Sequence, residues 1–198
     1  MILHMKKSVI LFLFLMAAVS CSPSANNASQ AVEDVIMSRR SIRQYTEQTI
    51  SREVLDKILD HGINAPNGQN RQAYEIRVVD DPVLLDDISE AVTGTRKSIF
   101  AGAPCVVFLA NYTGYDMSQV DCGLLGENII LSAWSQGIGS CCMAAPVRQM
   151  KESEACRPYI EKLGFSGGYN LLYSIVLGYP AESPAAKPRK TDMIRFVK

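Results

Sequence analysis

Residues 118–137, SQVDCGLLGENIILSAWSQG, form the stretch that most restricts the fold. It is long enough for a helix and apolar nearly all round, with Gly123, Gly126 and Ala133 available for close approach of a neighbour. A helix with no polar face has to be covered on every side, by its own core or by a partner subunit. Just upstream, CVVFLANY at 105–112 is a continuous β-branched and apolar run, the pattern of a strand buried on both faces. With helices outnumbering strands, a central sheet flanked by helices is the simplest arrangement that covers both.

The flanking segments supply the layers. AVEDVIM places Val32, Val35 and Ile36 on one helical face after Ser29, and this helix runs straight into an arginine cluster. SREVLDKILDHG reads as a helix from an N-cap at Ser51 to a stop at Gly62. Residues 65–72, APNGQNRQ, are dense in turn formers and read as a loop. YEIRVV is a strand ending at Asp80-Asp81-Pro82, and PVLLDDISEAV a helix. PVRQMKESEACRPYIEKLG is a more solvated helix interrupted near Pro158, NLLYSIVLGYP a last strand, and the residues after it an extended tail. No repeat divides the chain, so residues 30–198 are expected to form one α+β domain with a central sheet flanked by helices.

The first residues belong to something else. His4, Lys6 and Lys7 precede VILFLFLMAAV, an apolar run too short to span a bilayer comfortably, followed by small residues and Cys21. This reads as a secretory signal. Ser20-Cys21 resembles the cleavage box of bacterial lipoproteins, which implies a signal peptide over 1–21, lipidation at Cys21, a tether over 22–29 and an exported protein anchored in the bacterial cell envelope, on the periplasmic side, through that lipid alone. With 20 Lys+Arg against 20 Asp+Glu the chain has no net charge, so no nucleic-acid partner is expected and any anion site must be local. Five cysteines remain after Cys21 and one histidine after His4, with no CxxC, so no metal site is expected either. The adjacent Cys141 and Cys142 read as packing residues or as a redox pair.

SRRSIRQY, residues 38–45, is the local exception: Arg39, Arg40 and Arg43 around Ser41. Guanidiniums fork onto phosphate oxygens and a hydroxyl completes the shell; the alternative is a solvated basic turn pairing with Glu47 or Glu53. Neither GxGxxG nor GxxxxGK[ST] occurs, so the dinucleotide and P-loop modes are unsupported.

Four segments in order, RRSIRQY, APNGQNRQAY, GIGSCCMAA, and LGYP with KPR, resemble the nitroreductase family of flavoenzymes from about residue 33 to 189. The resemblance implies a mostly antiparallel sheet and a homodimer whose extended C-terminal tails are exchanged between subunits. It implies FMN as cofactor, its phosphate held by Arg39, Ser41 and Arg43 with Arg40 contributing backbone or charge, and by Lys187 and Arg189 from the far end of the chain. Pro66, Asn67 and Asn70 would meet the isoalloxazine and ribityl groups, and the backbone of Met143, Ala144 and Ala145 would lie beside flavin N5 and O4. Lys97 falls near a position facing the nicotinamide substrate. Where the family commonly has Gln-Pro-Trp, this chain has Gln72-Ala73-Tyr74. The implied activity is ping-pong transfer from NAD(P)H through flavin N5 to nitroaromatics, quinones or similar flat acceptors, with no catalytic side chain. Export away from soluble NAD(P)H leaves two further readings open: a flavin-binding redox carrier, and an envelope lipoprotein that binds a ligand without redox chemistry.

Overall fold

A computed structural model describes residues 25–198; the signal segment and Cys21 lie outside the described residues. Helix α1 (Ala25–Ser38) leads into the arginine cluster, and α2 (Arg52–Ile63) starts where Ser51 Oγ accepts the Val54 N–H. Then come β1 (Tyr74–Val79), α3 (Pro82–Thr93), β2 (Cys105–Tyr112), α4 (Ser118–Ser135), β3 (Gly139–Met143), α5 (Ala145–Glu152), α6 (Arg157–Lys162) and β4 (Tyr169–Gly178). Two short 3-10 turns sit at Gly68–Asn70 and Glu154–Cys156. The four strands form one sheet in the order β1-β2-β4-β3, every neighbouring pair antiparallel.

The apolar runs explain the layers. Alternate residues of a strand point to opposite faces, and in β2 both sets are buried. Val106 and Phe108 join a core with Ile88, Phe100, Met150 and Cys156. Cys105, Val107 and Leu109 join a second core with Leu55, Ile58, Leu125 and Ile129. The sheet is therefore sandwiched, with α2 and α4 on one face and α3, α5 and α6 on the other. Gly126 is where α4 meets the sheet: a Cβ there would lie 2.1 Å from Tyr173 Oη. Gly123, by contrast, faces open space.

Several boundaries differ from the sequence reading for physical reasons. Gly62 does not stop α2; it is buried within it, and a Cβ would lie 2.5 Å from Ile129 Cγ1, so this glycine lets α2 and α4 approach. Ala25–Ser29 of the expected tether are helical, as part of α1. The solvated helix breaks at Ser153, not at Pro158, which occupies the first turn of α6 where its missing N–H costs nothing. Strand β3 has no counterpart in the sequence reading. It is short, built from small residues, and held by pairing with β4 from Gly139–Gly178 to Met143–Ser174. One of its ends anchors the arginine cluster and the other leads into α5.

Candidate functional site

The arginine cluster is stitched onto the β3 edge and the chain after β4. Ser41 bridges Ser140 in parallel, and the Ile42 N–H donates to the Ser140 carbonyl at 2.9 Å. Thr46 donates to the Tyr179 carbonyl, and Ala181 donates to the Gln44 carbonyl, both at 2.9 Å. The Arg43 N–H donates to the Glu182 carboxylate. Between the arginines, Ile42 turns inward and is completely buried. Gly139 makes the space: a Cβ there would lie 2.8 Å from Ile42 Cγ1. Ser41 and Arg43 thus face outward on either side of an anchored residue.

Outward, Arg39, Arg40, Ser41 and Arg43 share a cleft of about 160 Å³ with Pro184, Ala185, Lys187 and Arg189. Cations from both ends of the domain converge there within one chain. Among the described residues, the side chains of Arg39, Arg43, Lys187 and Arg189 form no ion pair, Glu182 being bonded through the Arg43 backbone N–H, and neither Glu47 nor Glu53 pairs with the cluster. Arg40 differs. Its guanidinium donates to the Met37 and Arg39 carbonyls at 2.8 Å, capping the end of α1 where a cation is favoured.

From Ser140 to Met143, β3 covers roughly 10 Å. There the Met143 carbonyl is held by the buried Ser174 hydroxyl at 2.9 Å, and α5 starts at Ala145 with no side-chain cap at Ala144. The first N–H groups of a helix have no intrahelical acceptor, so this corner presents backbone donors. Cys141 is buried on the arginine side. Desolvation raises its thiol pKa, while Arg43, Ser41 and Arg39 pull it down without cancelling the rise. Cys142 is exposed on the opposite strand face, its thiol raised by desolvation and then by Cys141 and Glu127. The two sulfurs point apart and neither thiol is acidic, so they do not form an activated redox pair.

The amide loop lies elsewhere. Asn67 Oδ1 accepts the Gln72 N–H at 2.9 Å, and Asp121 of α4 accepts the Gly68 N–H at 2.9 Å. Gln69, Asn70 and Gln72 all adopt left-handed backbone, with φ of 55°, 53° and 51°. Such backbone is costly outside glycine and clusters at functional loops. Asp121 is almost fully buried, and its second carboxylate oxygen has no partner among the described residues. The loop therefore sits at the N-terminal end of α4, whereas the arginine cluster is tied to its C-terminal end by Trp134 Nε1 donating to Ser38 Oγ at 2.8 Å. Asp121 and Trp134 are about 20 Å apart along the axis. One chain does not bring Pro66, Asn67 and Asn70 into the arginine cleft. Lys97 lies in the loop between α3 and β2, outside the cleft.

Sequence reasoning missed Glu182, Pro184 and Ala185, which lie in an unpatterned tail. It also missed Asp121, whose signal was visible: an acid in the first turn of a largely apolar helix.

Residues 36–96 and 91–179 match the model of the nitroreductase family. A protein of Archaeoglobus fulgidus, described provisionally as an NADH dehydrogenase/NAD(P)H nitroreductase, is 36% identical over 152 residues, covering 75% of this chain and 84% of that one. Among solved structures, a nitroreductase with bound FMN from Desulfitobacterium hafniense has a TM-score of 0.77 at 28% identity, covering 85% of this chain and 98% of that one. Another with bound FMN, from Bacteroides fragilis, has a TM-score of 0.74 at 26% identity, with 84% and 98% covered.

Proposed function

The chain belongs to the nitroreductase family, and from that membership we propose an FMN-dependent oxidoreductase that draws on NAD(P)H and reduces nitroaromatics, quinones or similar flat acceptors in a ping-pong sequence. The observation that carries this reading is the cleft in which the side chains of Arg39, Arg43, Lys187 and Arg189 converge without an ion pair among the described residues. The donor set fits the cofactor. Paired guanidiniums, an ammonium and the Ser41 hydroxyl suit a phosphate dianion, and the Ala144–Ala145 corner offers backbone donors for a ring heteroatom, one ribityl-sized step along β3.

When bound, FMN supplies the hydride chemistry at N5. The chain's residues bind and orient. Arg39, Arg43, Lys187 and Arg189 neutralise the phosphate, Arg40 holds the end of α1 so that its neighbours face the cleft, and Ser174 fixes the Met143 carbonyl so that the N–H groups after it point outward. No acid–base side chain is required.

The same reading makes the protein a homodimer with a composite site. With the phosphate in the arginine cleft, Pro66, Asn67 and Asn70 would meet that flavin from a second copy, because their own loop is tied to the far end of α4, about 20 Å of helix from the end that holds the arginine cluster. The tail supports the exchange: Met193, Ile194, Phe196 and Val197 are 77%, 72%, 88% and 91% exposed, an apolar end that no described residue of its own chain covers. Residues up to Arg189 stay with their own cleft and the segment after it crosses. The N-terminal pattern adds a lipid anchor at Cys21 in the bacterial cell envelope, periplasmic side. Growth with radiolabelled palmitate should label the wild-type protein and leave Cys21→Ser unlabelled; an unlabelled wild type would remove the anchor.

An anaerobic spectrum tests the activity. The purified protein should show flavin absorbance that bleaches on adding NADH or NADPH and returns on adding a quinone. A flavin that neither nucleotide bleaches would leave a redox carrier instead of a reductase.

A further inference from the structure

Beyond Met143, where β3 ends, β4 continues through Leu172 to Tyr169 with no neighbouring strand on that side among the described residues. A bulge falls in this open stretch. The pairing of β2 with β4 passes from Leu109–Tyr173 to Ala110–Leu171 and leaves Leu172 without a partner. Bulges re-aim side chains and are over-represented beside active sites. Here Leu172 lines a cavity of about 330 Å³ together with Ala144, Val147, Arg148, Lys151 and Glu152 of the α5 region. The cavity therefore opens from the backbone corner assigned to the flavin ring, with an apolar wall of Leu172 and Val147 and a charged rim.

The rim is ordered along α5. Arg148 lies one turn past Ala144, about 6 Å along the axis, and Glu152 about 12 Å along it. The cation is the charge nearer the flavin corner. Lys151 is already committed, its Nζ donating to Asn170 Oδ1 at 2.6 Å and to the Leu171 carbonyl at 3.0 Å. Among the described residues Arg148 is engaged in no ion pair, so its guanidinium is available.

We propose that this cavity receives the electron acceptor and that Arg148 reads an anionic substituent on it, favouring flat aromatic acceptors that carry a carboxylate. The proposal rests on the flavin reading. The shared chemistry, an anion attached to a planar ring, also describes a nicotinamide dinucleotide with its pyrophosphate, and the test separates the two.

FMN-loaded, oxidised protein without reductant is titrated calorimetrically with para-nitrobenzoate, with its neutral isostere para-nitrobenzamide, and with NAD+. The wild type should bind the benzoate about fivefold more tightly than the amide, the scale of one exposed charge pair, and Arg148→Gln should make the two equal while leaving NAD+ unchanged. Equal affinities in the wild type, or a preference that survives the substitution, would overturn the proposal. So would loss of NAD+ binding with the benzoate preference intact, which would give the anion to the donor. The flavin absorbance of the same sample keeps the two readings apart. A yellow protein without the preference sinks only this inference, whereas a colourless one that takes up no FMN sinks the flavin reading and this inference with it.

Discussion

Replacing Arg39 and Arg43 together by alanine should strip the protein of FMN while leaving it folded. Each guanidinium would make a charge-assisted contact to phosphate, and such hydrogen bonds contribute about 1.5–3 kcal/mol apiece. Losing two lowers affinity by roughly a hundredfold to ten-thousandfold. The fold has little to lose, because neither side chain takes part in an ion pair among the described residues and surface substitutions of this kind usually shift stability by about 0.5 kcal/mol or less. Arg40→Ala provides the contrast. Its guanidinium caps α1 rather than facing the phosphate, so it should cost helix stability of about 0.5–1 kcal/mol and far less affinity. FMN titration with parallel thermal melts reads both. A double variant that stays yellow through gel filtration would mean the phosphate lies elsewhere.

Ile42→Ala should be the most destabilising single change near the site. Ile42 is completely buried between the two arginines and packs onto Gly139, and truncating a buried isoleucine costs about 2–5 kcal/mol. Ile42→Val should cost only about 1 kcal/mol. Bound FMN would add its own binding energy to the folded state, so the comparison belongs on flavin-free protein, by chemical denaturation. Because the same residue fixes the spacing of Arg39, Ser41 and Arg43, the alanine variant should also bind FMN more weakly at temperatures where it is folded. A loss below about 1 kcal/mol would mean that this segment is not anchored through its core side chain.

The arginines and Ile42 differ in how readable the sequence made them. Three cations in so short a span need a reason, so the arginines were plain. Ile42 was not, since one isoleucine in a basic run carries no periodicity. The apolar run of β2 has no polar face, so its burial on both sides could be inferred without a structure, and the sandwich came with it. Helix α4, read the same way, is buried on one side only and leaves Val120 and Leu124 exposed on the other. β3 escaped because its small residues have little strand preference of their own, and pairing with β4 makes it a strand. Gly62 looked like a helix stop because local preference cannot see Ile129 across the interface.

The candidate site divides in the same way. That Lys187 and Arg189 join the arginines came from family resemblance, and nothing in the tail's own pattern says where it folds. That the amide loop lies at the opposite end of α4 was illegible, because Gly68 and Asp121 are 53 positions apart in sequence. What sets that loop apart is its left-handed residues and an Asp121 oxygen with no partner among the described residues.

Comparing FMN with riboflavin on deflavinated protein isolates the phosphate, the only group by which the two ligands differ. Equilibrium fluorescence titration should give FMN an affinity at least about a hundredfold above that of riboflavin, with the gap narrowing as salt rises. Riboflavin binding as tightly as FMN would show that the converging cations hold no phosphate.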